Sequence, residues 1–456
     1  MRKGRLLNTV VLLVILAMVV PTLLAACGAK PTPTAPSPYV AKPSPTPEPT
    51  KPPEPTPTPV TVVLKIMDNW GLQADAKGPP LHSIFEDFMA AYPYIKIEEE
   101  VFTDVEIPTK VETAFLAKEE PDLIFQNLYG PSLDWIKDGL TVDVTALAKT
   151  WGLYDTFKPD ALLQWTDDQG RLQGFPLEGF TWPMWYNSAI FKAAGAEIPK
   201  TVDELIAASQ KIKAAGFEPI VTGGSDWQGQ WDFYYFLAAQ IPNDELKTLF
   251  KQGGWGQSPN VANAVKMFVQ MRDGGAFPKD VEGMQFDTMN QKFFEGKAAM
   301  MHGGSWSFSE VPEALRKDIV LGGFPLPAGS PHQKPIWVAG YIGKAIWITR
   351  NGSEKLDAVE KFVKFFFQSK MIARFVEQAG MTSPLKDTPV DETKLNELFV
   401  QSIKISNTVE NVEVPDLYVP TKIFEDFLKV ANEAFLPGVT AEKIISSLDT
   451  VYKGLQ

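Results

Sequence analysis

From Thr61 onward the sequence predicts an α/β fold, and three observations carry that expectation. Short β-branched or apolar runs of strand length alternate with stretches whose apolar residues recur at helical spacing. Caps and stops stand at the borders between them. Several apolar runs break off into amides, carboxylates or indoles, as strands do where an open α/β sheet meets its ligand. The alternation points to mainly parallel sheets.

The elements follow in order. Thr61–Met67 reads as a β-branched strand. Leu81, Ile84, Phe85, Phe88 and Tyr92 form one apolar stripe on a helix that Pro93 stops. Ile95, Ile97 and Val101 mark a second strand, with Glu98, Glu99 and Glu100 as its solvent edge, and Leu123-Ile124-Phe125 a buried third. Thr201-Val202-Asp203-Glu204 after Pro199 has the capping-box pattern, and Gly216 closes that helix. Leu356, Val359, Val363, Phe366 and Phe367 mark another amphipathic helix, with Ser353 as its expected cap. No internal repeat is visible. The 456 residues, 45% apolar and 21% charged, fit a globular chain of two or three domains.

Four strand ends supply candidate ligand-binding groups. Leu64–Met67 runs into Asp68, Asn69 and Trp70, and Leu123–Phe125 into Gln126 and Asn127. Phe175-Pro176-Leu177 leads to Glu178 and Trp182, and Ala298–Met301 to His302, Gly303, Gly304 and Trp306. Converging, these ends would make a cleft floored by amides, carboxylates and indoles, with Trp185, Trp227, Trp231 and Trp337 joining Trp70, Trp182 and Trp306 at its mouth. An amide or carboxylate can bridge neighbouring hydroxyls, and an indole face suits the axial C–H face of a pyranose. Each candidate has a plainer alternative: an Asx residue after a strand can cap a turn, and a Trp there can fill the core. Trp306 follows Gly303-Gly304, which lets the backbone turn tightly and approach a ligand.

The chain's formal charge is −12. An acidic surface argues against nucleic acid or an anionic membrane face as partner. His82, His302 and His332 are the only histidines, without a partner at metal-ligand spacing. No nucleophile context or phosphate-binding glycine loop appears, so no metal, no cofactor and no enzymatic turnover is expected.

The N-terminus carries processing signals. Arg2, Lys3 and Arg5 precede the apolar run Val10–Val20, and Ala25-Ala26 precede Cys27, the chain's single cysteine. Residues 1–26 read as a signal peptide and Cys27 as a lipidated residue of the bacterial lipobox type. No intrachain disulfide is possible. Residues 27–60 are Pro- and Thr-rich, a polyproline spacer whose roughly 30 residues reach up to about 90 Å at ~3.1 Å each.

From Thr61 to its end the chain resembles the extracellular solute-binding protein family 1, the maltose-binding-protein-like lipoproteins of carbohydrate ABC importers. The resemblance rests on FMAAYPYIKI (88–97), PDLIF (121–125), GFPLEGFTWPMWYN (174–187), PKTVDEL (199–205), FEGKAAMMHGGSW (294–306) and GFPLP (323–327), in family order. It implies two α/β lobes that close on a ligand by a hinge: residues 61–177 with 343–380, and 178–337 with 387–456. Chain crossings are implied near Leu177–Trp182, Trp337–Gly343 and Gly380–Asp387. It also implies a monomer at the cell surface or in the periplasm, anchored through Cys27. Such a protein binds a sugar or oligosaccharide without turnover and delivers it to ABC permease subunits. In the family a Trp at the position of Trp306 commonly stacks on sugar. Phe180 stands where maltose-binding protein has a carboxylate, and Glu178 lies two residues earlier on the same facing, which points away from maltose itself. Two other readings remain: a glycan-hydrolysing or glycan-docking lipoprotein, and a receptor for a signalling kinase.

Overall fold

The structure, a computed structural model, describes residues 60–72 and 76–455; the signal segment, Cys27 and nearly all of the tether lie outside them. The described residues form ten strands: β1 (Val62–Asp68), β2 (Ile95–Val101), β3 (Leu123–Gln126), β4 (Phe175–Trp182), β5 (Met184–Asn187), β6 (Glu218–Val221), β7 (Ala298–His302), β8 (Ile319–Gly322), β9 (Ile336–Ile348) and β10 (Glu410–Asn411). They build two sheets. The first runs β10-β9-β3-β1-β2 with β4 also on β9, and the second runs β6-β7-β5-β8.

Helices cover these sheets for reasons visible in the chain. The helix Gly78–Ala91 starts on Pro79-Pro80 and buries Leu81, Ile84, Phe85 and Phe88. Thr201 caps the helix Val202–Ala214, its hydroxyl accepting from the Glu204 amide at 3.2 Å. The Glu204 carboxylate reaches one residue further back than a capping box requires, to the Lys200 amide at 2.7 Å. Gly216 then takes the left-handed φ of 88° that ends this element.

Two expectations are corrected. The sheets are mixed, with four parallel and four antiparallel pairings among the described strands. The cause lies partly in β9, which runs antiparallel to both β3 and β4. Ser353 does not cap the helix Leu356–Phe366, whose N-cap is Lys355. A separate helical turn, Arg350–Ser353, comes first, and the Ser353 hydroxyl donates back to the Arg350 carbonyl at 2.6 Å.

Three segments lie side by side between the sheets. β4 leads through Pro183 directly into β5 of the second sheet. β9 begins against β10 and the end of β4, and finishes against β3. The third segment joins at Thr382, which exchanges both backbone hydrogen bonds with Gly179, at 2.9 and 2.7 Å. Gly179 is required there, since an added Cβ would stand 2.6 Å from the Tyr341 ring. A large buried apolar cluster spans both sheets, and a smaller one gathers around Trp185, Phe293 and Phe308. Among the described residues no helix is long and apolar enough to cross a membrane.

Candidate functional site

The strand ends of the first sheet assemble a polar cluster. Asp68 ends β1, and its Oδ1 accepts from the Gly71 amide at 2.8 Å, folding the chain into a turn. Burial pushes the Asp68 carboxyl up to about 7. The turn carries Trp70 inward, where its ring packs 6.1 Å from Phe125 and 5.1 Å from Phe375. Trp70 is therefore fully buried in the core and does not join the other indole candidates.

Asn69, Gln126 and Asn127 do come together, around two residues the sequence did not single out. Asn69 donates to the Asp104 carboxylate at 2.9 Å, and Gln126 Nε2 to the Asp104 carbonyl at 3.0 Å. Lys344 pairs with the Asp104 carboxylate and donates to Asn127 Oδ1 at 3.0 Å. Gln126 Oε1 accepts from the Asn127 amide at 2.7 Å, and the Tyr129 hydroxyl donates to the Asp104 carbonyl at 3.3 Å. Asp104 follows β2 much as Asn69 follows β1, so the shared strand-end position was the available signal. Lys344 stands within β9, and nothing local in the sequence marks it. Glu178, on β4, is held by Lys77 at 2.9 Å with both side chains nearly buried, so it enters the cluster already paired.

The indoles assemble from the second sheet and a helix beside it. Asp226 caps the helix Trp227–Ala238, its carboxylate accepting from Gln228 at 3.1 Å and from the Phe286 amide at 2.7 Å. Trp227 therefore opens the helix, and Trp231, four residues on, shares its face. Trp231, expected at the mouth, is set beside Trp227 by this spacing. Trp182 lies 5.2 Å from Trp306 and 6.0 Å from Trp227, ring centre to ring centre, and Trp306 lies 6.2 Å from Trp227. The chain of rings continues from Trp227 to Trp231 at 6.5 Å, to Phe424 at 6.2 Å and to Tyr129 at 6.0 Å. Trp227, Trp231, Trp306 and Tyr129 are half-buried, and Trp182 is buried behind them. Trp337 is buried on β9 beside β10 and is not part of this chain. The Trp231 indole N–H donates to Asp416 at 2.7 Å, and burial pushes that carboxyl up to about 7.

Behind Trp182 stands a wholly buried polar network. The His302 ring is sandwiched between Trp182 at 4.5 Å and Tyr235 at 3.8 Å, nearly parallel to both. Its Nδ1 meets the Asp232 carboxylate at 2.6 Å and its Nε2 meets the Trp182 carbonyl at 3.0 Å. Asp232 also accepts from Thr222 and from Gln228 Nε2. Each ring nitrogen of His302 thus faces an oxygen atom, one from a side chain and one from the backbone. Such a network fixes the plane of Trp182.

Polar cluster and ring chain meet at two places. Tyr129 bonds to Asp104 and packs on Phe424. β4 carries Glu178 toward Lys77, Phe180 toward Trp306, and Trp182 into the indoles. No group of metal ligands occurs among the described residues. Flat apolar faces opposite amides and carboxylates suit a ligand that is apolar on its faces and hydroxylated at its rim.

Comparison with known proteins agrees with this architecture. Residues 74–372 match the bacterial extracellular solute-binding proteins, and the chain belongs to that family. It is 31% identical to the "probable secreted solute-binding lipoprotein from Streptomyces coelicolor", covering 86% of this chain and 98% of that one with a TM-score of 0.74. The multiple sugar-binding protein of Streptococcus mutans is 23% identical over 326 residues, 69% of this chain and 73% of that protein. A sugar transporter from Bacillus licheniformis in complex with stachyose shares the fold, at 20% identity and a TM-score of 0.67, covering 87% of this chain and 100% of that one.

Proposed function

We propose that this chain binds a sugar or oligosaccharide between two lobes and hands it, chemically unchanged, to the permease subunits of an ABC importer. The observation that carries the reading is the row of half-buried indoles, joined through Phe424 and Tyr129 to the polar strand ends. The lobes in this reading are residues 61–177 with 343–380 and residues 178–337 with 387–456, closing by a hinge at β4, β9 and the Thr382 segment. Asn69, Asn127 and Asp104 would meet hydroxyls, while Trp306 and Trp227 form the stacking wall with Trp182 buried behind them. The Streptococcus mutans relative supports sugar as the ligand class.

A thermal-shift screen of the purified protein against a sugar library tests the reading. A ligand at about 100 times its dissociation constant adds roughly 2.7 kcal/mol of stability, and the recovered ligand should be intact. No stabilisation by any sugar sinks the ligand class, and multiple turnovers of a cleaved ligand sink the binding-only reading. Cys27 would carry the lipid anchor, with the Pro/Thr-rich segment as spacer. Mass spectrometry of the mature protein should find an acylated Cys27, and Cys27→Ser should lose the acyl chain. An unmodified wild-type Cys27 in membrane-held protein refutes the anchor.

A further inference from the structure

Two stretches remote in sequence, 129–132 and 415–424, close on each other outside the three joining segments. The first follows β3 and is anchored on the first sheet. There the Leu128 amide donates to the Ile342 carbonyl of β9 at 3.1 Å, and the Ser132 hydroxyl to the Asn127 carbonyl at 2.9 Å. The second goes with the helices of the second sheet. The helix Phe424–Ala434 packs on the helix Trp227–Ala238, with the Phe427 and Tyr234 rings stacked at 4.3 Å, and Trp231 holds Asp416 at the root of the stretch. Where the two meet, the Thr421 hydroxyl donates to the Gly130 carbonyl at 2.7 Å, and the Tyr129 and Phe424 rings pack edge to face, 6.0 Å apart. The Gly130 backbone lies so close to the Phe424 ring that an added Cβ would stand 2.2 Å from it. Gly130 is not in the left-handed region, so this close approach is what requires glycine.

From this contact, and resting on the two-lobe reading above, we infer that residues 129–130 and 421–424 form a clasp that holds the lobes together through protein contacts alone. Closure is then favoured before any ligand contributes to it. Parting the lobes breaks the Thr421 hydrogen bond and uncovers the Phe424 ring that Gly130 and Tyr129 shield. One net hydrogen bond shifts a two-state ratio by about fivefold, and the ring contact acts in the same direction. The Lys251–Asp168 pair also spans the lobes, at 3.6 Å, but both side chains are exposed and such pairs hold little. The weight of the clasp therefore falls on Gly130 and its partners. Tyr129 also donates to the Asp104 carbonyl, so the clasp adjoins the polar strand ends. A ligand enters only while the clasp is parted, and the open fraction scales its association rate.

Pulsed electron–electron distance measurement on the chain from residue 27 onward, without any sugar, tests the clasp. Cys27→Ser removes the single cysteine. Lys137→Cys and Lys429→Cys then carry spin labels at exposed positions, one on each side of the contact. This parent protein should give mainly the short separation seen in the structure. Gly130→Ala should move the distribution to longer distances, because its methyl group displaces Phe424. Thr421→Val keeps the shape but donates no hydrogen bond, so the ratio of short to long forms should fall about fivefold. In a Phe424→Ala background Gly130→Ala should add nothing, since the ring it strikes is gone. A long separation in the parent that no substitution changes overturns the clasp and leaves the hinge standing. Gly130→Ala lengthening the distance further in the Phe424→Ala background also overturns it. One short separation in the parent and in every variant overturns both the clasp and the hinge, because the lobes then do not part.

Discussion

β1 and β7 end alike in sequence and differently in space. Each is an apolar strand that passes through polar or small residues to a tryptophan: Asp68-Asn69-Trp70 in one case, His302-Gly303-Gly304-Ser305-Trp306 in the other. After β1, Asp68 bonds forward to the Gly71 amide, and the tight turn drives Trp70 into the core against Phe125 and Phe375. After β7, His302 bonds sideways, to Asp232 and to the Trp182 carbonyl. Two glycines then let the chain climb, and Trp306 emerges half-buried beside Trp182 and Trp227. The fate of an aromatic at a strand end is thus set by what the preceding polar residue bonds to. Forward capping buries the indole, and lateral bonding leaves the chain free to present it.

Paired substitutions test this contrast, with melting temperature and dissociation constant measured on the same protein. Trp70→Ala should have the largest effect, about 3–5 kcal/mol of folding stability, with the affinity of the folded fraction unchanged. Trp306→Ala should cost about 2 kcal/mol of binding and only about 1 kcal/mol of stability, since its ring is already partly in water. Exchanged outcomes would break the comparison: lost affinity in Trp70→Ala with stability intact, or lost stability in Trp306→Ala with affinity intact.

The contrast also marks what a linear reading could reach. The α/β alternation, the strands β1, β2 and β3, the helix Gly78–Ala91 and the cap at Thr201 were legible because each depends on residues a few positions apart. The clustering of Asn69, Gln126 and Asn127 was legible too, since strand ends on one edge of a sheet must lie together. Sheet parity was not, because the antiparallel run of β9 against β3 joins residues more than 200 positions apart. Lys344 was hidden for the same reason, reaching Asp104 only through that long-range pairing. Trp231 was legible as a mouth residue, and its pairing with Trp227 follows from the four-residue spacing on a helix capped by Asp226. Trp70 and Trp306 could not be told apart, because the bond that separates them comes from the neighbouring residue's partner and not from its type.

The smallest expected effect sharpens the comparison at the far end of the indole row, where Trp231 depends on Asp416. Burial raises the Asp416 carboxyl to about 7, against the lowering effect of the Trp231 indole N–H. In the unfolded chain this group ionises near 3.8. Between those values the folded state holds a proton that the unfolded state has released, so stability from this group falls as pH rises and levels off above the folded value. From pH 6 to pH 8 the loss amounts to about 1.4 kcal/mol. Asp416→Asn keeps a carbonyl oxygen for the indole N–H but cannot ionise, so it should lack this component of the fall. Urea unfolding of both proteins at pH 6 and pH 8 isolates the effect, because every other titrating group is common to the two. A larger pH loss in the wild type means that Trp231 is oriented by a carboxyl that is neutral at pH 6. Equal losses would mean that Asp416 is ionised throughout, and that a charge-assisted bond holds the indole at every pH in the range.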